Sequence, residues 1–157
     1  EKTVRENTSL ASLKENSHSG FIDFSWEKRE AISYIDKLRI KTPSDSAIIK
    51  NLSGGNQQKV VIAKWLLAKS KILIMDEPTR GIDVNAKAEI YELMKNFVEE
   101  GGSIILVSSE LPEVLGCSNR IMVMREGYVT GFLDSAEATE ENVMLFASKG
   151  NEEVVYE

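Results

Sequence analysis

Two short apolar runs, each closed by polar residues and separated by one amphipathic stretch, constrain this chain more than any other feature. KILIMDEP (71–78) ends in two acids and a proline, and its length and flanks predict a buried strand rather than a helix. VNAKAEIYELMKNFVEEGG (84–102) follows, with Ile90, Leu93, Met94 and Phe97 on one helical face and Gly101-Gly102 as a stop. SIILVSSE (103–110) predicts a second buried strand. Strand, helix, strand is the logic of an α/β fold with parallel buried strands.

The rest of the chain hangs on that unit. Residues 1–10 read as a polar helical end, followed by a loop through SLKENSHSGF that holds His18 as a solvated side chain. WEKREAISYIDKL (26–38) is amphipathic, with Ala31, Ile35 and Leu38 at helical spacing. Pro43 and its polar neighbours break the pattern. QQKVVIAKWLLAK (57–69) predicts a helix built to be buried, with Val60, Ala63 and Leu67 on one stripe and Val61, Trp65 and Ala68 on another. Downstream, LPEVLGC is a helical turn, RIMVMREGYVTGFLD a hairpin turning at Glu126-Gly127, and EATEENVMLFASK a closing helix. The predicted organisation is a helical subdomain over 1–69 and an α/β core over 70–157.

Bulk properties exclude several classes. A net charge of −6 over 157 residues argues against a nucleic-acid footprint. No apolar run is long enough to span a bilayer. Cys117 is the only cysteine, so no disulfide is available, and its expected place is in or near a core. The first residue is Glu1 rather than Met, and further sequence upstream is expected.

Two places carry candidate chemistry. LSGGNQQKV (52–60) puts Ser53, Gly54 and Gly55 at the mouth of a helix. Ser53 as an N-cap with the glycines as a turn is one reading. An anion seat on the helix N-terminus is the other, since four backbone N–H groups are unpaired there and glycine permits close approach. Asp76 and Glu77 close the first strand, at the sheet edge where ligands of open α/β sheets bind. Asp76 would face a hard cation such as Mg²⁺ there, and Glu77 would orient a water for attack on phosphorus. Asp83 shortly after completes a phosphoryl-transfer set.

LSGGN, ILIMDEP, TRGID and ILVSSE, in this order and spacing, resemble the signature motif, Walker B, D-loop and switch region of ABC-transporter ATPases. TRGIDV and LVSSELPEV are similar to the second ATPase half of tandem sugar-import subunits of the ribose, galactose and xylose type. The resemblance runs from about Val4 to about Lys149. It implies a partial P-loop NTPase core with a mostly parallel sheet and an α-helical subdomain. It also implies ATP and Mg²⁺ as cofactors and a facing ATPase domain whose ATP the signature loop caps. Ser53, Gly54, Gly55 and Gln57 would contact that nucleotide in trans. Asp76 would hold Mg²⁺, through water, Glu77 would be catalytic, and Asp83 would bridge the two halves. Permease subunits and, indirectly, an extracytoplasmic sugar-binding protein follow as partners, with the chain peripheral on the cytoplasmic face of the plasma (inner) membrane.

This sequence also departs from the family pattern. It contains no GxxxxGK[ST], so the Walker A strand and loop are missing. Ser109 stands where the family has a switch histidine, Asn56 where many members have Gln, and Arg80-Gly81-Ile82 where Ser-Ala-Leu is usual. The expectation is an N-terminally truncated C-terminal ATPase half, inactive alone. The alternatives are a non-transport ABC ATPase fragment or a catalytically dead regulatory module. The transported sugar is not legible.

Overall fold

The computed structural model describes residues 1–18 and 20–148. The chain divides into two compact units, Glu1–Ile105 and Leu106–Glu157.

The first unit begins with α1 (Val4–Ser9), started by a capping box in which Thr3 and Glu6 satisfy each other's backbone N–H groups. The expected loop after it is partly ordered as a 3₁₀ turn (Leu10–Ser12) and a small hairpin, β1 (Ser17–His18) with β2 (Phe21–Ile22). Asp23 then caps α2 (Phe24–Lys37), and α3 (Gly54–Leu67), β3 (Ile72–Asp76), α4 (Val84–Glu99) and β4 (Ser103–Val107) follow. The backbone N–H of Ser103 donates to the Lys71 carbonyl at 3.0 Å, which joins the starts of β3 and β4 and makes them parallel neighbours. Helix α4 is the crossover between them, as the periodicity predicted.

Burial of these strands is one-sided, unlike the expectation. Leu73, Met75 and Ile104 face Ile62 and Leu66 of α3 and Leu93, Met94 and Phe97 of α4. Ile72, Ile74 and Ile105 point the other way and are 60%, 74% and 53% exposed. Two helices cover one face of the pair, and the exposed isoleucines lie on the other. Helix α3 is likewise half-committed. Val60, Ile62 and Ala63 are buried, whereas Val61 and Trp65 are exposed, so only one of the two predicted stripes packs.

Three helices of this unit end in the same way. After α4, the Gly102 N–H donates to Phe97 and that of Gly101 to Val98, with Gly101 left-handed at φ 92°. This is a Schellman motif. Arg39 (φ 50°) after α2 and Lys69 (φ 53°) after α3 close the same pattern without glycine, through Ile40 to Ile35 and Ser70 to Trp65.

In the second unit, α5 (Leu111–Cys117) precedes β5 (Arg120–Arg125) and β6 (Tyr128–Asp134), and α6 (Glu140–Ser148) follows. The hairpin turns at Glu126-Gly127, both with positive φ, as two-residue hairpin loops favour. Ile121 and Val123 of β5 bury against Val143 of α6, with Leu115, Leu133 and Phe146 around them. A Cβ on Gly131 would lie 2.4 Å from the Phe146 ring, so glycine lets α6 rest on the hairpin. Cys117 is exposed rather than part of this core; partial desolvation and then Glu113 raise its thiol pKa.

Candidate functional site: the mouth of α3 and the rim of β3

Ser53 has the extended backbone of an N-cap residue (φ −62°, ψ 154°), and its carbonyl accepts the Gln57 N–H at 2.9 Å. Its hydroxyl nevertheless caps nothing. The Ser53 Oγ instead accepts a hydrogen bond from Asn56 Nδ2 at 2.8 Å. Asn56 is held in turn by the Lys41 N–H, which donates to its Oδ1 at 2.7 Å. One turn along the helix, Gln57 Nε2 donates to the Leu52 carbonyl at 2.8 Å and bends the preceding loop back onto α3. The capping reading of Ser53 is therefore not what the side chain does. The first N–H groups of α3 are left without a side-chain cap.

The two glycines have a packing reason that the sequence alone did not disclose. Gly55 is buried, and a Cβ there would sit 2.5 Å from the Ala86 Cβ in the first turn of α4. A Cβ on Gly54 would be 3.2 Å from Ile82 Cγ2. The structure thus brings the LSGG loop against the Arg80–Asp83 segment. Asp83 caps α4 by accepting the Ala86 N–H at 3.0 Å.

Lys59, absent from the sequence-predicted site, holds this region together. It is 2% exposed; its Nζ pairs with Glu89 of α4 at 2.7 Å and donates to the Arg39 carbonyl at 3.1 Å. The Lys59 hydrogen bond, partly offset by desolvation, holds the Glu89 carboxyl below the usual glutamate range. A lysine on the apolar side of a helix was the available signal.

At the rim of β3, Asp76 is exposed and Glu77 half-buried. Glu77 is left-handed (φ 46°), which costs a non-glycine residue of the order of 1 kcal/mol and turns the chain sharply. Pro78 and Thr79 behind it are buried, and Arg80 N–H closes the turn onto the Glu77 carbonyl at 3.2 Å. No cluster of three or more His, Cys, Asp or Glu side chains suited to a metal occurs among the described residues. Asp76 stands at the strand end as an exposed carboxylate, and a hard cation that retains waters and takes phosphate oxygens needs only one or two such groups from the protein. Ser109 lies in the second unit, exposed between β4 and α5.

The chain is 53% identical over 149 residues to the ribose import ATP-binding protein RbsA of Oceanobacillus iheyensis, covering 95% of this chain and 30% of that protein. It is 53% identical over 147 residues to the xylose import ATP-binding protein XylG of Moorella thermoacetica, covering 94% and 29%. The chain therefore spans about 30% of the length of the curated relatives it matches. Among solved structures, a dimeric ATP-binding cassette in a post-hydrolysis state with ADP and Pi superposes with a TM-score of 0.71 at 24% identity. That match covers 85% of this chain and 57% of the other, and supports the α/β cassette fold. The ABC transporter family model matches residues 1–80, which hold the uncapped LSGG helix mouth and the β3 rim with its paired acids, and the chain belongs to that family.

Proposed function

We propose that this chain is part of the ATP-binding and ATP-hydrolysing subunit of an ABC importer for monosaccharides, and that it supplies the signature loop to the ATP held by a facing domain. The observation that carries this reading is the mouth of α3: a helix N-terminus whose candidate cap, Ser53, does not cap it. Backbone N–H groups, the helix dipole and a serine hydroxyl together suit a terminal phosphate. Ser53, Gly54 and Gly55 approach the nucleotide, and Gln57 braces the loop. Asp76 meets Mg²⁺ through water, Glu77 orients the attacking water, and Asp83 links the two halves while capping α4. Ser109 occupies the switch position without a charge to offer near neutral pH.

Residues 1–69 act as the helical subdomain and 70–157 as a partial α/β core, of which 149–157 lie outside the described residues. The monosaccharide class follows from the ribose and xylose import names of the relatives. Permease subunits would hold the chain at the cytoplasmic face of the inner membrane, with an external sugar-binding protein acting through them. No helix of the described residues is long and apolar enough to cross a membrane.

The test is ATP turnover in the assembled ATPase, in which this chain faces a domain with a phosphate-binding loop. Ser53→Ala should lower kcat by at least about tenfold, as loss of a donor to a reacting oxyanion does. Unchanged turnover would favour the second reading, a regulatory module with relic motifs, to which Ser109 at the switch position lends support.

A further inference from the structure

We infer that Asn56 is a positioning residue for Ser53, fixing which way the serine proton points; this rests on the proposed contact between Ser53 and phosphate. The Lys41 backbone N–H can only donate, so the Asn56 atom 2.7 Å from it must be the carbonyl oxygen. The amide nitrogen therefore faces Ser53 Oγ at 2.8 Å, and that nitrogen can only donate. Ser53 Oγ is obliged to accept. Its own proton is left to point elsewhere, away from Asn56.

Two consequences follow for the mouth of α3. A serine in N-cap geometry ordinarily turns its oxygen to the N–H groups of the first helical turn. Here the amide of Asn56 takes up that oxygen, so the first-turn N–H groups receive no serine cap and the hydroxyl remains a donor. Both effects raise the number of hydrogen-bond donors presented to an anion. The arrangement is anchored from behind, because Lys59 on the same face of α3 grips the Arg39 carbonyl two residues before Lys41.

The test is a double-mutant cycle on ATP turnover in the assembled ATPase, with Asn56→Ala, Asn56→Asp, Ser53→Ala and the two double variants. Asn56→Asp can still accept the Lys41 N–H but draws the Ser53 proton to itself, so it separates orientation from anchoring. Each Asn56 variant should lower kcat by about tenfold, the size of one hydrogen bond, with a smaller change in KM. Neither should lower it further once Ser53 is Ala, because a residue acting through another is non-additive with it. Wild-type turnover in Asn56→Asp, or losses that multiply with that of Ser53→Ala, would overturn the inference while leaving the signature reading intact. Wild-type turnover in Ser53→Ala alone would remove both.

Discussion

Helices α3 and α4 start from nearly the same backbone and use it in opposite ways. Ser53 (φ −62°, ψ 154°) and Asp83 (φ −72°, ψ 161°) both sit at N-cap positions. Asp83 closes its helix by accepting the Ala86 N–H; Ser53 leaves its helix open because Asn56 holds its oxygen. Thr3 and Asp23 close α1 and α2, and Thr139 accepts the Asn142 N–H at the start of α6. Helix α5 also begins without a side-chain cap, at Glu110, so α3 is set apart by carrying a cap-type hydroxyl whose oxygen another side chain has taken up. Cap-type sequence therefore does not decide cap function; the third residue of the helix does.

The largest expected effect lies where the two helices touch. Gly55→Leu would drive a side chain into Ala86, and unfolding should show a loss of about 3 kcal/mol, the upper end of overpacking costs. A loss under about 1 kcal/mol would mean that α3 and α4 can part freely, and that their caps need not be compared as one unit.

Next in size is the Lys59–Glu89 bridge that spans the same pair of helices. Glu89→Ala leaves Lys59 buried with only the Arg39 carbonyl, and should cost about 2 kcal/mol. Lys59→Met removes the charge with the burial, leaves Glu89 to water, and should stay within about 1 kcal/mol of wild type. The pH dependence has a definite sign. Lys59 and Lys41 hold the folded Glu89 carboxyl below its unfolded value, against desolvation and the nearby Asp83. This contribution is fully present above the unfolded glutamate range and is lost as pH falls through the depressed folded value. Urea midpoints measured across acidic pH, with Glu89→Gln as control, should show the variant flattening that part of the profile.

The smallest effects sharpen the contrast itself. Asp83→Ala should cost about 1 kcal/mol as a lost cap, and Ser53→Ala at most about 0.5 kcal/mol because no cap bond is lost. Equal costs in thermal unfolding would show that Ser53 caps α3 in solution after all.

Much of this was legible in sequence, and the rest was hidden for identifiable reasons. The β3–α4–β4 unit and the Glu126-Gly127 hairpin follow from periodicity and turn chemistry. The one-sided burial of β3 does not, because Ile72 and Ile74 are as apolar as Leu73 and Met75, and only the placement of α3 and α4 chooses between them. Val61 and Trp65 misled in the same way. Helix ends at Arg39 and Lys69 carried no glycine to announce them. Ser53 looked like a cap because its competitor for the hydroxyl, Asn56, is itself held by Lys41, fifteen residues earlier in the chain. Motif spacing names Ser53, Asp76 and Asp83 as candidates; it does not give the orientation of the serine.

The 2.5 Å that would separate a Gly55 Cβ from that of Ala86 also limits how this chain can drift over time. The two positions share one fixed allotment of space, so neither can grow unless the helices separate. A lineage that enlarged residue 86 would displace the opening of α3 even with every residue of the LSGG loop intact. The proposed nucleotide contact would then be sensitive to the size of an alanine that lies outside the loop.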